Sequence, residues 1–63
     1  MSERDVRVVL MRLRSEGIWD ESSGKGSHRI FRRPGGPTIS VPTSDKELKK
    51  GTYDDIAKKA GWK

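Results

Sequence analysis

Cysteine is absent from these 63 residues, there is one histidine, and the longest apolar run is Val8-Val9-Leu10-Met11. Each shortage removes a class of protein. Without thiols there is neither a disulfide framework nor thiolate metal ligation, and one histidine cannot build a zinc site alone. The acids are scattered, which argues against a carboxylate-held metal centre, so neither metal nor cofactor is expected. The apolar run falls far short of the roughly 20 residues that span a bilayer. Residues 1–5 lack a signal-peptide hydrophobic region. The chain is expected in the cytoplasm, with no membrane contact.

Hydrophobic residues make up 30% of the chain and charged residues 37%, which approaches the composition of disordered segments. Folding is expected nonetheless, because the apolar residues cluster periodically and turn residues separate the clusters. A chain this short forms one domain, 1–63, and buries only about 60% of the surface its unfolded form exposes. Oligomerisation or a partner is the expected extra source of stability. The formal charge of +5 favours a polyanion or an acidic protein as that partner.

Ser2 and Asp5 have capping-box spacing, which predicts a helix from about Glu3. Val6, Val9, Leu10 and Leu13 give it one apolar face, and Gly17 is its stop. Residues 18–21 read as a first strand anchored by Trp19, and 22–26 as a turn. A second strand is expected over 28–33, with the adjacent Ile30 and Phe31 leaving its inward face open. Pro34-Gly35-Gly36-Pro37 is a hairpin connection, and 38–41 alternates as a third strand with Ile39 and Val41 inward and Pro42 ending it. Residues 43–50 read as a polar loop with a helical turn at 44–47. Thr52 with Asp55 repeats the capping-box pattern, opening a helix whose stripe is Tyr53, Ile56, Ala57 and Ala60 and whose stop is Gly61. Asp54 and Asp55 in its first turn and Lys58 and Lys59 in its last suit the macrodipole. Trp62 either folds back on that last turn or stays exposed. The expected fold class is α+β: an α-β-β-β-α order, with two helices on one face of a three-stranded antiparallel sheet, as in double-stranded-RNA-binding domains.

The chemistry concentrates between residues 24 and 33, where Lys25, Arg29, Arg32 and Arg33 stand with no acid and surround the only histidine, His28. Imidazole is the side chain whose ordinary pKa lets it exchange protons near neutrality. Gly26 lets the backbone approach a ligand closely, and the turn offers N–H groups to a phosphate. His28 could act as general acid or base at a phosphodiester while Lys25 and Arg29 neutralise developing charge. In RNA the 2′-hydroxyl is a built-in nucleophile, so such cleavage needs no metal. Blander readings of the same residues are a solvated turn histidine and an arginine-rich strand face that blunts sheet pairing.

The chain resembles the HicA-type toxins, the small mRNA interferases of HicA–HicB toxin–antitoxin pairs. The likeness rests on Glu16-Gly17-Ile18-Trp19 after the first helix, Lys25-Gly26-Ser27-His28-Arg29-Ile30-Phe31, Val41-Pro42, and Leu48-Lys49-Lys50-Gly51-Thr52 leading into Ile56 and Ala60-Gly61. It implies the double-stranded-RNA-binding-like fold, a ribonuclease activity on mRNA that halts growth, and neutralisation by a HicB-like antitoxin. It also implies that His28 is catalytic, supported by Gly26 and Ser27; Lys25, Arg29, Arg32 and Arg33 are the expected RNA-binding strip by their charge. Two places depart from the pattern. Thr43 and Ser44 stand where many relatives carry another histidine, and Tyr53-Asp54-Asp55 replaces an often basic segment. The alternatives are a non-catalytic RNA-binding module of the same fold and a basic protein-interaction domain.

Overall fold

Asp5, rather than Ser2, starts the first helix. A computed structural model describing residues 2–63 places α1 at Val6–Ser15, with the Asp5 carboxylate accepting the Arg7 N–H at 2.9 Å as an N-cap. The expected start near Glu3 is too early because Arg4 to Val6 is engaged elsewhere. Val6 N–H donates to the Lys46 carbonyl at 2.9 Å and Leu48 N–H to the Arg4 carbonyl at 2.8 Å. The Ser2 hydroxyl donates to the Glu47 carboxylate instead of capping the helix. This short bridge, Asp5 opposite Glu47, replaces the helical turn expected at 44–47 and carries Leu48 into the core. Val6, Val9 and Leu13 are buried as their spacing requires, Leu10 is partly so, and Gly17 ends the helix with a φ of 70°.

Strand β1 runs Asp20–Ser23, two residues later than expected. It contains no apolar residue, so its register follows pairing and charge rather than a hydrophobic pattern. Strands β2, His28–Arg32, and β3, Ile39–Pro42, complete an antiparallel sheet in the order β1-β2-β3. Asp20 pairs with Arg32 and Glu21 with Phe31 across the first interface; Phe31 pairs with Ile39 and Arg29 with Val41 across the second. Strand alternation then decides the face that the sequence left open. Phe31, Ile39 and Val41 point together into the core and are fully buried, while Ile30 lies on the opposite face. Trp19 packs against the core edge just ahead of β1, outside the strand it was expected to anchor, and Ile18 is half exposed.

The second helix, α2, spans Lys50–Ala60. Its first intrahelical bond runs from Tyr53 N–H to the Lys49 carbonyl, so Lys49 is the N-cap and Thr52 falls inside the first turn. The capping box expected from Thr52 and Asp55 therefore does not form, and Asp54 and Asp55 lie beyond the first turn. They pair instead with Lys50 at 2.9 Å and Lys59 at 3.1 Å, one helical turn away. At the other end Gly61 adopts a φ of 81°, its N–H reaches the Lys58 carbonyl, and Trp62 N–H reaches the Ala57 carbonyl at 2.7 Å. This is a Schellman closure, and it turns Trp62 back onto the fold. Tyr53, Ile56 and Ala57 meet Val9, Leu13, Phe31, Ile39 and Val41 in one cluster. Both helices thus cover the same sheet face, and the other face stays open.

Candidate catalytic and nucleic-acid site

The open face carries His28, Ile30 and Arg32 from β2, opposite Pro42 and Ser40 of β3 and Ser22 and Asp20 of β1. His28 is the first residue of β2, exposed, at the mouth of the turn 24–27. That turn is closed on the β1 side by Gly24 N–H donating to the His28 carbonyl at 2.9 Å. On the β3 side the Ser27 carbonyl accepts from Thr43 N–H at 2.7 Å and from the Thr43 hydroxyl at 3.0 Å. Gly26 sits at a φ of 63°, where a side chain would be strained. Gly24 lies so close to Ile30 that a Cβ there would come within 2.8 Å of its side chain.

One contact sets the chemistry of the imidazole. Nδ1 of His28 lies 3.1 Å from the Lys25 carbonyl oxygen, which can only accept. In the neutral ring the proton therefore sits on Nδ1, which leaves the lone pair on Nε2 of this exposed residue. This tautomer follows from the identity of the partner.

The four cations expected to form one basic strip are divided by the strand. Lys25 is exposed in the turn beside His28. Arg32 shares the open face with His28, about 13 Å further along β2 at ~3.3 Å per residue, and among the described residues its side-chain hydrogen bonding is a long 3.4 Å approach to Ser22. Arg29 points to the helix face. There its guanidinium meets the Glu21 carboxylate at 3.0 and 2.8 Å and the Ser23 hydroxyl at 2.8 Å. Glu21 also receives a two-pronged pair from Arg14 of α1, at 2.7 and 2.6 Å. The Arg14 bonds, with Arg29 adding to them, hold the Glu21 carboxyl down at about 2, and Glu21 in turn raises Arg14. Arg33 lies past the strand with its guanidinium 4.8 Å from the centre of the Trp19 ring.

The structure thus brings together Lys25, Gly26, Ser27 and His28, with Arg32 on the same face, and sends Arg29 and Arg33 elsewhere. Thr43 is the site residue that sequence reasoning missed. The sequence marks Thr43 only as a departure from the family pattern, and only the β2–β3 register, His28 opposite Pro42, puts it against Ser27. A cleft of about 210 Å³ adjoins Pro42, between β3 and the start of α2. Asp45 and Glu47 in its lining make it a poor receptacle for a phosphate. Among the described residues no three histidine or carboxylate side chains converge as metal ligands, and no helix is long and apolar enough to cross a membrane.

Fold and charge together define a small, basic α+β domain of α-β-β-β-α order, with a histidine turn beside an uncovered sheet face. Residues 10–62 match the family described as HicA toxin of bacterial toxin–antitoxin systems, and the chain belongs to that family. Membership implies an antitoxin as its partner. Among curated proteins, none matches the chain.

Proposed function

We propose that this HicA-family toxin is an endoribonuclease that cleaves mRNA in the cytoplasm by metal-independent general acid/base catalysis, with His28 as the catalytic residue. The observation that carries the reading is the anchored imidazole: Nδ1 lies 3.1 Å from the Lys25 carbonyl, on an exposed side chain in the same turn as the exposed Lys25. In the reaction, Nε2 takes the proton of an RNA 2′-hydroxyl as its oxygen attacks the adjacent phosphorus. The bond to the 5′-oxygen breaks, that oxygen takes a proton from water, and a 2′,3′-cyclic phosphate remains. Lys25 neutralises the phosphate that reacts at His28, Arg32 takes a different phosphate further along the open face, and Gly26 and Ser27 shape the turn. Arg29 and Arg33 serve this site from behind, by holding the sheet to α1 and to Trp19.

His28→Ala tests the assignment, since the side chain is exposed and its removal leaves the core untouched. Loss of a general acid/base costs about 10²–10⁴-fold in rate, with the circular dichroism spectrum unchanged. A folded variant that cleaves RNA within a few-fold of the parent would refute the catalytic role and leave a non-catalytic RNA-binding module. Cleavage is expected to persist in EDTA and to spare an all-DNA strand. A HicB-like antitoxin inhibits by covering the same surface, so hydrogen exchange of the complex should show protection over residues 24–33. Protection limited to α1 would rule out such a blockade.

A further inference from the structure

We infer that Thr43 is the positioning residue of the His28 turn, acting through the Ser27 carbonyl to keep the imidazole in its Nδ1–H form; this rests on the catalytic reading of His28. The turn has almost nothing else to hold it. Lys25, Gly26, Ser27 and His28 are all exposed, and none belongs to the buried cluster. Its shape depends on hydrogen bonds at its two ends. The Gly24–His28 bond closes one end with backbone groups. At the other end the backbone bond from Thr43, at 2.7 Å, continues the ladder of β2 and β3, and the hydroxyl adds a second donor to the same oxygen at 3.0 Å.

That second donor is a property of the side chain, and its geometry suits threonine. Thr43 is half-buried at the end of β3, and its β-branch restricts χ1, so the hydroxyl is presented with little rotamer freedom to lose. Ser27 is the residue directly before His28, so fixing its carbonyl fixes the peptide plane from which the imidazole reaches the Lys25 oxygen. When that carbonyl is loosened, the Lys25 oxygen drifts from Nδ1. The ring then relaxes toward the Nε2–H tautomer that a free histidine favours in water. In that form Nε2 carries a proton and cannot accept one, so turnover falls while the surface that binds RNA is unchanged.

Thr43→Val removes the hydroxyl, keeps the shape and keeps the backbone bond; Thr43→Ser retains the hydroxyl. Two readouts apply: kcat and KM for RNA cleavage, and the ring nitrogen shifts of His28 by NMR without RNA. One hydrogen bond of ordinary net strength corresponds to about a three- to tenfold change in population. Thr43→Val is therefore expected to lower kcat about three- to tenfold with KM within about twofold, and to move the ring shifts toward Nε2–H. Thr43→Ser should restore both. Ring shifts unchanged in Thr43→Val would overturn the assignment whatever the turnover does, and so would a loss that serine fails to restore. Because the ring shifts are read without RNA, they stand apart from the catalytic reading, which His28→Ala tests.

Discussion

Replacing Glu16 by alanine removes the one carboxylate that serves both tryptophans of this protein. Its Oε1 accepts the indole N–H of Trp19 at 2.8 Å and its Oε2 that of Trp62 at 2.7 Å. Glu16 is the C-cap of α1, Trp19 leads into β1, and Trp62 follows α2, so three separate parts of the chain meet at one side chain. Arg12 stacks over Trp62 at 4.0 Å and Tyr53 lies 6.4 Å away, which keeps that indole on the core edge. A buried hydrogen bond to a charged acceptor is worth about 1.5–3 kcal/mol. These indoles are half-buried, and water can replace part of the loss, so about 1 kcal/mol each is the reasonable figure. The total of about 2 kcal/mol is a large share of the roughly 3–9 kcal/mol expected for a domain of this size. It corresponds to a fall in Tm of about 8–16 °C. Glu16→Gln should lose about half, because the amide oxygen can accept from one indole while the amide nitrogen faces the other N–H as a second donor. Urea unfolding followed by tryptophan emission and by far-ultraviolet circular dichroism measures both variants, and the emission reports on the two altered sites directly. An alanine variant with the parent's urea midpoint and emission maximum would show that the indole bonds add nothing net. Apolar packing alone would then join the ends of the fold.

Other outcomes follow from the divided arginines and the core. Arg32→Ala should weaken RNA binding and reduce its salt slope by about 0.7–0.9, whereas Arg29→Ala should leave the slope unchanged and lower stability by about 1 kcal/mol. Equal salt slopes for the two variants would refute the division. Glu21, held at about 2 mainly by Arg14, has a folded pKa below its unfolded one. The stability it contributes is therefore complete above about pH 4.3, the unfolded value, and is lost as pH falls toward 2. Glu21→Gln should cost about 1 kcal/mol at pH 7, after allowance for solvent screening at the sheet edge, and should flatten acid titrations of stability over that window. An unchanged acid titration would place the linkage on another carboxylate. Phe31→Ala, at the centre of the cluster, should cost about 3–5 kcal/mol, enough to unfold much of the population at 37 °C; a cooperative transition close to the parent's would contradict the packing described here.

The helices and the inward face of β3 were legible in the sequence because each carries its own pattern. Val6, Val9 and Leu13 repeat at helical spacing, as do Tyr53, Ile56 and Ala57, and Ile39 and Val41 alternate around Ser40. Glycines at 17 and 61 mark their ends by a local conformational preference, and they stop the helices where expected. Of the candidate site, the turn from Lys25 to His28 was legible as a run of neighbouring residues. What depends on residues far apart in the chain had no such signal. The all-polar β1 takes its register from Arg29 to Arg32, and the start of α1 is set by Lys46 and Leu48, 40 and 44 positions from their partners Val6 and Arg4. The fate of Trp62 turns on Glu16. Tertiary structure also decided which cations share the open face with His28. Adjacent strand residues point to opposite faces, so Arg29, next to His28 in the chain, lies on the other side of the sheet, and Thr43, fifteen residues away, bonds to the residue before it. A strand alternates at every residue, but only the helices packed on one side of it determine which alternate residues remain in solvent.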